Sequence, residues 1–261
     1  MKATVWRRVF IGYDSRAPEV YWCAARSLLA TSKRQYAGEP IVLSEMEKQG
    51  LLWRPHTEHG GQLTDVLSSA PMSTEFAISR FLVPFLCREG WALFTDQDMV
   101  FLADVDELFD LADPKKAVMV VKHAMVDTGR SKMVGQEQTT YPRKNWSSVV
   151  LWNCSHPAHL RLSLAMLNQY PGDLLHRFFW LRDSEIGTLP ANWNWLVNVQ
   201  PKPDVVKLAH FTLGGPWIKG WERAEHDEIW TTAAEFETLH PVSGKTRRRE
   251  AVAQAENEGI T

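Results

Sequence analysis

Apolar residues along this chain fall into two patterns, short continuous runs and runs with helical spacing. The short runs predict buried strands at 5–13, 41–43, 91–94, 117–121, 148–152 and 205–211. Val20, Ala24 and Leu28 recur at i, i+4 and i+8, which predicts a helix that begins near Ala17 with Pro18 in its first turn. Strands that alternate with helices are typical of an α/β fold with a mostly parallel sheet flanked by helices.

The middle of the chain carries a second helical pattern beside a polar stretch. Ile78, Phe81, Leu82 and Phe85 share one helical face, and Pro84 is expected to kink that helix or divide it. Residues 54–73 are rich in glycine, proline and polar side chains, which predicts a loop or an insertion. We expect one catalytic domain over residues 1–240 and a polar tail over 241–261.

Composition narrows the class of protein. The 261 residues carry a net charge of −2, so no overall field attracts nucleic acid or an anionic membrane. Three scattered cysteines without metal-ligand spacing fit a reducing compartment. The amino terminus lacks a signal-peptide pattern and no apolar run is long enough to span a bilayer. The expectation is a soluble cytoplasmic protein, with contact to a membrane surface left open.

Two carboxylates, Asp96 and Asp98, follow the apolar run at 91–94. Ligands of open α/β sheets bind beyond the carboxyl ends of strands, and paired carboxylates there need a compensating cation. Mg²⁺ or Mn²⁺ suits such oxygen ligands, while a solvated acidic turn is the alternative. A second such pair, Asp104 and Asp106, precedes a predicted helix at 107–109, where acidic residues stabilise the helix amino terminus.

Two more features point to the same site. Arg80 lies on the predicted helix that leads into the strand before Asp96. His210 ends the last predicted strand and enters a Gly-Gly-Pro loop with Lys219 nearby. A flexible glycine backbone followed by a lysine can approach and neutralise a phosphate.

Several segments then resemble the family 8 glycosyltransferases in matching order. They are RVFIGYDSR, FAISRFLVPFLCREGWALFTDQDMVF, DVDELF, SSVVLWNCS, LRDSEIGTLPANWNWL and HFTLGGPWIKGW, from residue 8 to about 221. The chain departs from the family pattern at Ser184, where the family has glutamine. It departs again at Lys219, which lies after Trp217 rather than before it.

This resemblance implies a fold of GT-A type that binds a nucleoside-diphosphate sugar, most often a UDP-sugar, with Mn²⁺ or Mg²⁺. Asp96, Asp98 and His210 would hold the metal. The donor would be bound by the loop after the first strand, by residues around the Asp-x-Asp motif and by the glycine loop. These residues are Gly12, Tyr13, Asp14, Arg16, Arg80, Gln97, Gly214, Gly215 and Lys219.

The stereochemistry and the acceptor stay open at this point. The resemblance favours transfer with retention, whereas inversion would need a general base, for which Asp183 or Glu185 is the candidate. A saccharide or another hydroxyl group is the expected acceptor, with a nucleic acid less favoured. Tryptophans 146, 193 and 217 are candidates for stacking on it.

Two other functions compete with sugar transfer. A sugar-1-phosphate nucleotidylyltransferase would also combine a nucleotide layer with a divalent metal, but the loop at 12–16 holds one glycine rather than several. A catalytically silent, carbohydrate-binding relative is the other alternative.

Overall fold

A six-stranded sheet lies at the centre of the structure, a computed structural model that describes residues 6–123, 131–132, 136–137, 143 and 145–239. The strands of the protein are, in chain order, β1 (Arg7–Tyr13), β2 (Glu39–Val42), β3 (His56–His59), β4 (Gln62–Asp65), β5 (Ala70–Met72), β6 (Trp91–Thr95), β7 (Met99–Phe101), β8 (Val118–Val120), β9 (Ser131–Lys132), β10 (Gln136–Glu137), β11 (Val149–Asn153), β12 (Ile186–Thr188), β13 (Trp195–Leu196) and β14 (Leu208–His210). The central sheet has the order β12–β8–β11–β6–β1–β2. β11 is antiparallel to both of its neighbours, and the other five strands run in one direction.

Helices and short 3-10 turns connect these strands. The α-helices are α1 (Pro18–Thr31), α2 (Leu43–Lys48), α3 (Val83–Leu86), α4 (Asp106–Phe109), α5 (Leu164–Gln169), α6 (Gly172–His176) and α7 (Asp227–Leu239). The 3-10 helices are Ser79–Leu82, Trp146–Ser148, Pro157–Arg161, Asp183–Glu185 and Ala191–Trp193. Helix α1 begins where the sequence predicts it, with Pro18 as its first residue, because that position needs no N–H donor.

The sheet is apolar on both faces, which explains its continuous apolar runs. Along β6, Ala92 and Phe94 belong to one buried cluster while Leu93 belongs to the cluster on the opposite face. Val150 and Leu151 of β11 divide in the same way, as successive side chains of a strand point to opposite faces. Because β1, β6 and β8 run in the same direction, their carboxyl ends lie at one edge of the sheet, which we call the carboxyl edge.

Residues 54–73 do not form the loop expected from their composition. They fold into a three-stranded antiparallel sheet, β3–β4–β5, whose first hairpin pairs His59 with Gln62 across Gly60 and Gly61. Both glycines have positive φ angles, 58° and 80°, which two-residue hairpin turns require. The Gly-Gly dipeptide is the sequence signal for this hairpin, and the surrounding polar residues concealed it.

The helix predicted after Ser73 is shorter than its apolar spacing indicates. A 3-10 turn at Ser79–Leu82 passes into the single turn of α3, with Pro84 at the start of that turn. Ile78, Phe81 and Leu82 are nevertheless buried, as the helical face predicts. The expected division near Pro84 is therefore confirmed, as a change from 3-10 to α geometry between Leu82 and Val83.

The second Asp-x-Asp pair is structural, as predicted. Asp106 begins α4, and Oδ1 of Asp104 accepts the N–H of Asp106 at 3.1 Å. The Asp106 carboxylate accepts hydrogen bonds from Arg7 and from the hydroxyl of Tyr36. It holds the segment after β7 against the start of β1.

Within the described part of the chain, none of the helices has the length and apolar character that crossing a membrane would require. The polar tail expected at 241–261 lies outside the described residues.

A buried ion pair fastens the β3–β4–β5 sheet to the body of the protein. Arg54 donates from Nε and Nη2 to the two carboxylate oxygens of Asp65, both at 2.6 Å, and from Nη1 to the carbonyl oxygen of Tyr170. Burial alone would raise the pKa of Asp65, but the hydrogen bonds from Arg54 and Ser68 outweigh it, so the pKa is lowered.

We expect Asp65→Asn to lower the free energy of unfolding by about 3 kcal/mol, because it leaves Arg54 buried without its counter-charge. The pKa of Asp65 is depressed in the folded state. The carboxylate's contribution is therefore present above the unfolded pKa of about 4 and is lost as the pH falls through the folded value. Urea unfolding at pH 7 and below about pH 4 measures this. Glu45→Gln, at an exposed pair with Lys48, is the control and should change little. An equal loss at both pH values would contradict the assignment.

Candidate metal centre and donor site

Three potential metal ligands meet at the carboxyl edge. One ligand atom from each of Asp96, Asp98 and His210 lies within 4.8 Å of the others. Asp96 and Asp98 occupy the turn between β6 and β7, and His210 pairs with Met99 in the β14–β7 ladder. The backbone N–H of Phe211 donates to the carbonyl oxygen of Asp98 at 2.9 Å, so β14 delivers the histidine directly beside the turn.

The hydrogen bonds of His210 determine which ring nitrogen faces the carboxylates. Nδ1 lies 3.0 Å from Oδ1 of Asn194, a carbonyl oxygen that can only accept, so Nδ1 carries the proton. Asn194 is fully buried, and its amide donates to Oγ of Ser148 at 2.9 Å. Nε2 therefore presents a lone pair, 3.5 Å from Oδ1 of Asp98, and has no hydrogen-bond partner among the described residues. This is the ring orientation that a metal-binding histidine needs.

Arg80 holds the first carboxylate of the motif. Its Nη1 donates to Oδ1 of Asp96 at 2.6 Å and to the carbonyl oxygen of Ser147 at 3.0 Å. The guanidinium lies over the rings of Phe76 and Phe94, 5.2 Å from each centroid. Arg80 is 6% exposed, so the pair is largely shielded from water. Arg80 thus holds the Asp-x-Asp turn, and its predicted contact with the donor stays a prediction.

The loop after β1 is tied to the same turn. Oε1 of Gln97 accepts the N–H of Asp14 at 2.9 Å. The buried Asp14 carboxylate accepts from Arg16, whose Nη1 also donates to the carbonyl oxygen of Gly61. Gln97, Asp14 and Arg16 thus form a bracket between β1, β6 and the β3–β4 hairpin. Tyr13 is half-buried against Tyr21, at 5.4 Å between ring centroids.

The predicted glycines have packing reasons of their own. A Cβ at Gly12 would lie 2.4 Å from the ring of Phe76, and one at Gly215 would lie 2.3 Å from the ring of Trp217. Gly214 has a φ angle of +105°, a backbone conformation that residues with a side chain rarely adopt. Lys219 is exposed on the same loop as Gly214 and Gly215, beyond the end of β14. The loop therefore starts at the candidate site, and contact of Lys219 with a ligand stays a prediction.

The structure does not bring Asp183 and Glu185 to this site. They immediately precede β12, and the carbonyl oxygen of Glu185 accepts the N–H of Ala117 at the start of β8. Strands β12, β8 and β6 run in the same direction, so the starts of β12 and β8 lie at the edge opposite the end of β6. The prediction that either residue acts as a base beside Asp96 is therefore corrected.

Local contacts of these two carboxylates agree with that correction. Asp183 is 87% exposed and pairs with Arg143, while Glu185 pairs with Arg161. A backbone hydrogen bond from Arg182, helped by Arg161, lowers the pKa of Glu185, which weakens it as a base.

Sequence analysis missed several neighbours of the site. Asn194 and Ser148 orient His210, and His123 follows β8 at the carboxyl edge. Its position shortly after an apolar strand could have indicated His123. Trp193, one of the three tryptophans named as candidates for stacking, is 1% exposed and belongs to the core, so the structure removes it as a candidate.

The comparisons with known proteins agree with this geometry. Over 234 residues the chain is 42% identical to Protein CDI of Arabidopsis thaliana, a match that covers 87% of this chain and 86% of that protein. The chain belongs to the CDI family. No protein-family model matches the sequence.

Solved structures show the fold of this CDI-family chain. The apo form of the glycosyltransferase GlyE from Streptococcus pneumoniae matches with a TM-score of 0.55 at 15% identity, over 88% of this chain and 60% of GlyE. The chain thus spans less than two thirds of GlyE. The galactosyltransferase LgtC, crystallised with donor and acceptor sugar analogues, matches with a TM-score of 0.51 at 15% identity, over 92% of this chain and 99% of LgtC. The expected fold, that of family 8-like GT-A glycosyltransferases with a mixed, mostly parallel sheet, is confirmed.

Proposed function

We propose that this CDI-family protein is a metal-dependent glycosyltransferase that moves a sugar from a nucleoside diphosphate, UDP in the first instance, to a hydroxyl acceptor. The observation that carries the proposal is the convergence of Asp96, Asp98 and His210 at the carboxyl edge of a glycosyltransferase fold. Ligands of such sheets bind at this edge.

The donor set fits a divalent cation. Two carboxylates and one imidazole supply oxygen and nitrogen ligands, a combination that Mn²⁺ accepts, while Mg²⁺ prefers the oxygens. The lone pair of Nε2 on His210 has no hydrogen-bond partner in the described part of the chain, which is costly at 1% exposure unless a ligand occupies it. A divalent ion bound here supplies positive charge to the leaving diphosphate.

The chain's own residues prepare the site for that ion and for the donor. Arg80 fixes the Asp96 carboxylate, and Asn194 fixes the tautomer of His210. The bracket of Gln97, Asp14 and Arg16 holds the loop after β1, where we place the nucleoside beside Tyr13. The loop of Gly214 and Gly215 follows β14, and we place the diphosphate beside it. Charged and polar groups that are already in place stabilise the negative charge that develops on the leaving diphosphate, without further rearrangement of the site.

We propose transfer with retention. The family 8 resemblance implies it, and the two carboxylates named as bases for inversion lie at the opposite edge of the sheet. The acceptor side of the proposal is a saccharide hydroxyl, in keeping with the acceptor sugar analogue bound by LgtC. A cytoplasmic location stays a prediction.

A donor screen tests the function. Thermal unfolding with Mn²⁺ is measured against UDP-, GDP- and dTDP-sugars, because a ligand at 100 times its Kd stabilises the folded state by about 2.7 kcal/mol. Release of the nucleoside diphosphate is then followed with saccharide acceptors. A Mn²⁺-dependent shift with release supports the proposal, and a shift without turnover on any acceptor supports a silent binding protein. Formation of nucleoside triphosphate from the nucleotide-sugar and pyrophosphate would instead identify a nucleotidylyltransferase.

Asn194→Leu tests the orientation of His210. Without the acceptor for Nδ1–H, the imidazole can turn or change tautomer, so Mn²⁺ affinity should fall about 10- to 100-fold. Calorimetric titration with Mn²⁺ on the folded variant measures this. Asn168→Leu is a matched control. Asn168 is as buried as Asn194, but its side chain bonds to the backbone of Trp53 and Leu51 and to no residue of the candidate metal site. Equal Mn²⁺ affinity in both variants would remove Asn194 from the site.

A further inference from the structure

His123 is a buried histidine at the carboxyl edge that the proposed metal site does not use. It follows β8, is 8% exposed, and its backbone carbonyl accepts the indole N–H of Trp146 at 3.0 Å. Burial, followed by the charge of His210, lowers the pKa of His123 to about 4.

The hydrogen bonds of His123 fix its tautomer in the opposite sense to that of His210. The side-chain amide nitrogen of Gln200, which can only donate, lies 3.2 Å from Nδ1. Nδ1 therefore accepts, and the ring proton lies on Nε2. This Nε2–H has no hydrogen-bond acceptor among the described residues although it is shielded from water. A buried donor of this kind is expected to find a partner.

The order of strands indicates which part of a ligand reaches this donor. The strands that follow β1 across the sheet, in the direction away from β2, are β6, then β11, then β8. In the proposed function the nucleoside lies over the loop after β1, and the diphosphate lies at the Asp-x-Asp turn after β6. The sugar then extends over β11 towards the end of β8, where His123 presents its N–H.

We propose that His123 is a specificity-determining residue that donates a hydrogen bond from Nε2–H to a hydroxyl of the transferred sugar. The inference rests on the proposed function, because it requires a nucleotide-sugar in that orientation. Gln200 is the positioning residue that keeps Nδ1 unprotonated and so directs the donor outward. As a neutral donor, His123 recognises a hydroxyl oxygen without attracting the charged diphosphate.

The experiment compares the sugar-bearing nucleotide with the nucleotide alone. Dissociation constants with Mn²⁺ are measured for UDP, UDP-glucose and UDP-galactose on the wild-type protein and on His123→Phe. UDP binding should stay within about twofold, while affinity for the better UDP-sugar should fall about tenfold, the usual contribution of one hydrogen bond. His123→Gln, which keeps an N–H donor, should recover part of the loss.

A matched histidine and a second variant keep the test decisive. His159 is also buried with a pKa lowered to about 4, mainly by burial, but its Nε2 faces the carbonyl oxygen of Ala117 at the opposite edge. His159→Phe should leave the ratio of UDP to UDP-sugar affinity unchanged. Gln200→Leu, which frees Nδ1 to take the proton, should reproduce the loss even if His123→Phe fails to fold.

Three results would overturn the inference. In the first, His123→Phe or Gln200→Leu leaves the affinity ratio as in the wild type. In the second, UDP and UDP-sugar weaken equally, which would place the effect at the metal site through His210. In the third, the wild-type protein binds no UDP compound. That result contradicts both the inference and the proposal of a UDP donor. It is seen in the wild-type measurements, before any variant is compared.

Discussion

Replacing Asp98 by asparagine is expected to abolish metal-dependent sugar transfer while the protein stays folded. The amide has nearly the same shape as the carboxylate but no charge, so the cation loses its most buried anionic ligand, which is 5% exposed. We expect kcat/KM to fall about 1000-fold, which corresponds to about 4 kcal/mol of transition-state stabilisation. Release of UDP at saturating and at limiting Mn²⁺ measures this loss.

The folded state should tolerate this change. Without a bound cation, Asp98 adds negative charge beside Asp96, so neutralising it relieves that repulsion, while the amide keeps the shape and an oxygen of the side chain. We expect the melting temperature of the metal-free variant to stay close to that of the wild type. Added Mn²⁺ should stabilise the wild type and leave the variant nearly unchanged.

The second Asp-x-Asp pair provides the matched control. Asp104→Asn makes the same chemical change at a residue that caps the turn before α4. It should keep wild-type activity and lose about 1 kcal/mol of stability or less. Normal activity of Asp98→Asn at ordinary Mn²⁺ concentrations would contradict the metal assignment, and loss of activity in Asp104→Asn would show that the assay reports folding.

The strand-end rule explains why part of the site could be predicted from the sequence. Asp96 and Asp98 follow an apolar strand that is buried on both faces, and in such sheets the next residues reach the ligand edge. His210 is distant in sequence but also ends an apolar strand. The pairing of β14 with β7, which places His210 opposite Met99, then brings it to the motif.

The supporting residues could not be predicted in the same way, because their roles depend on contacts between distant segments. Asn194 orients His210 across 16 positions, and Gln97 reaches Asp14 across 83. No spacing rule covers such contacts, since either partner would be an ordinary polar residue in another fold. The prediction for Asp183 and Glu185 was wrong for a related reason. Both are acidic and adjacent to a strand, but their position at its start becomes clear only from the strand direction.

The β3–β4–β5 sheet shows a different limit of sequence analysis. Its strands are three or four residues long and polar on one face, so composition alone favours a loop. The hairpin is stabilised instead by the Gly60-Gly61 turn and by the buried Arg54–Asp65 pair. A local turn signal was present in the sequence, whereas the ion pair that fastens the sheet was not recognisable.

Arg80 is expected to show the second large effect, because it acts on both stability and function. Its guanidinium bonds Asp96, Ser147 and Phe76 and lies over two aromatic rings. Arg80→Met removes the guanidinium that pairs with the Asp96 carboxylate, which is 15% exposed, and should lower the free energy of unfolding by about 3 kcal/mol. Urea unfolding of the metal-free protein measures this loss.

Arg80→Lys separates the functional part from the structural part. A lysine keeps the charge but lacks the Nε–H that bonds Phe76 and the planar group that lies over two aromatic rings, so Asp96 loses its fixed orientation. We expect a stability loss of about 1 kcal/mol, together with a fall in kcat/KM of about 100-fold and weaker Mn²⁺ binding. The matched control is Arg7→Lys. Arg7 pairs with Asp106 at the start of β1, the end of that strand away from the carboxyl edge, so this change should alter neither activity nor Mn²⁺ affinity.

A double-mutant cycle decides between the two roles of Arg80. If the arginine acts by holding Asp96, Arg80→Lys and Asp96→Asn should together weaken Mn²⁺ binding by less than the sum of their separate effects, because the first change already removes part of what the second removes. Additive losses would mean that Arg80 contributes independently of Asp96, by contact with the donor itself. Unchanged Mn²⁺ affinity in a folded Arg80→Lys variant would show that the ion pair serves the fold alone.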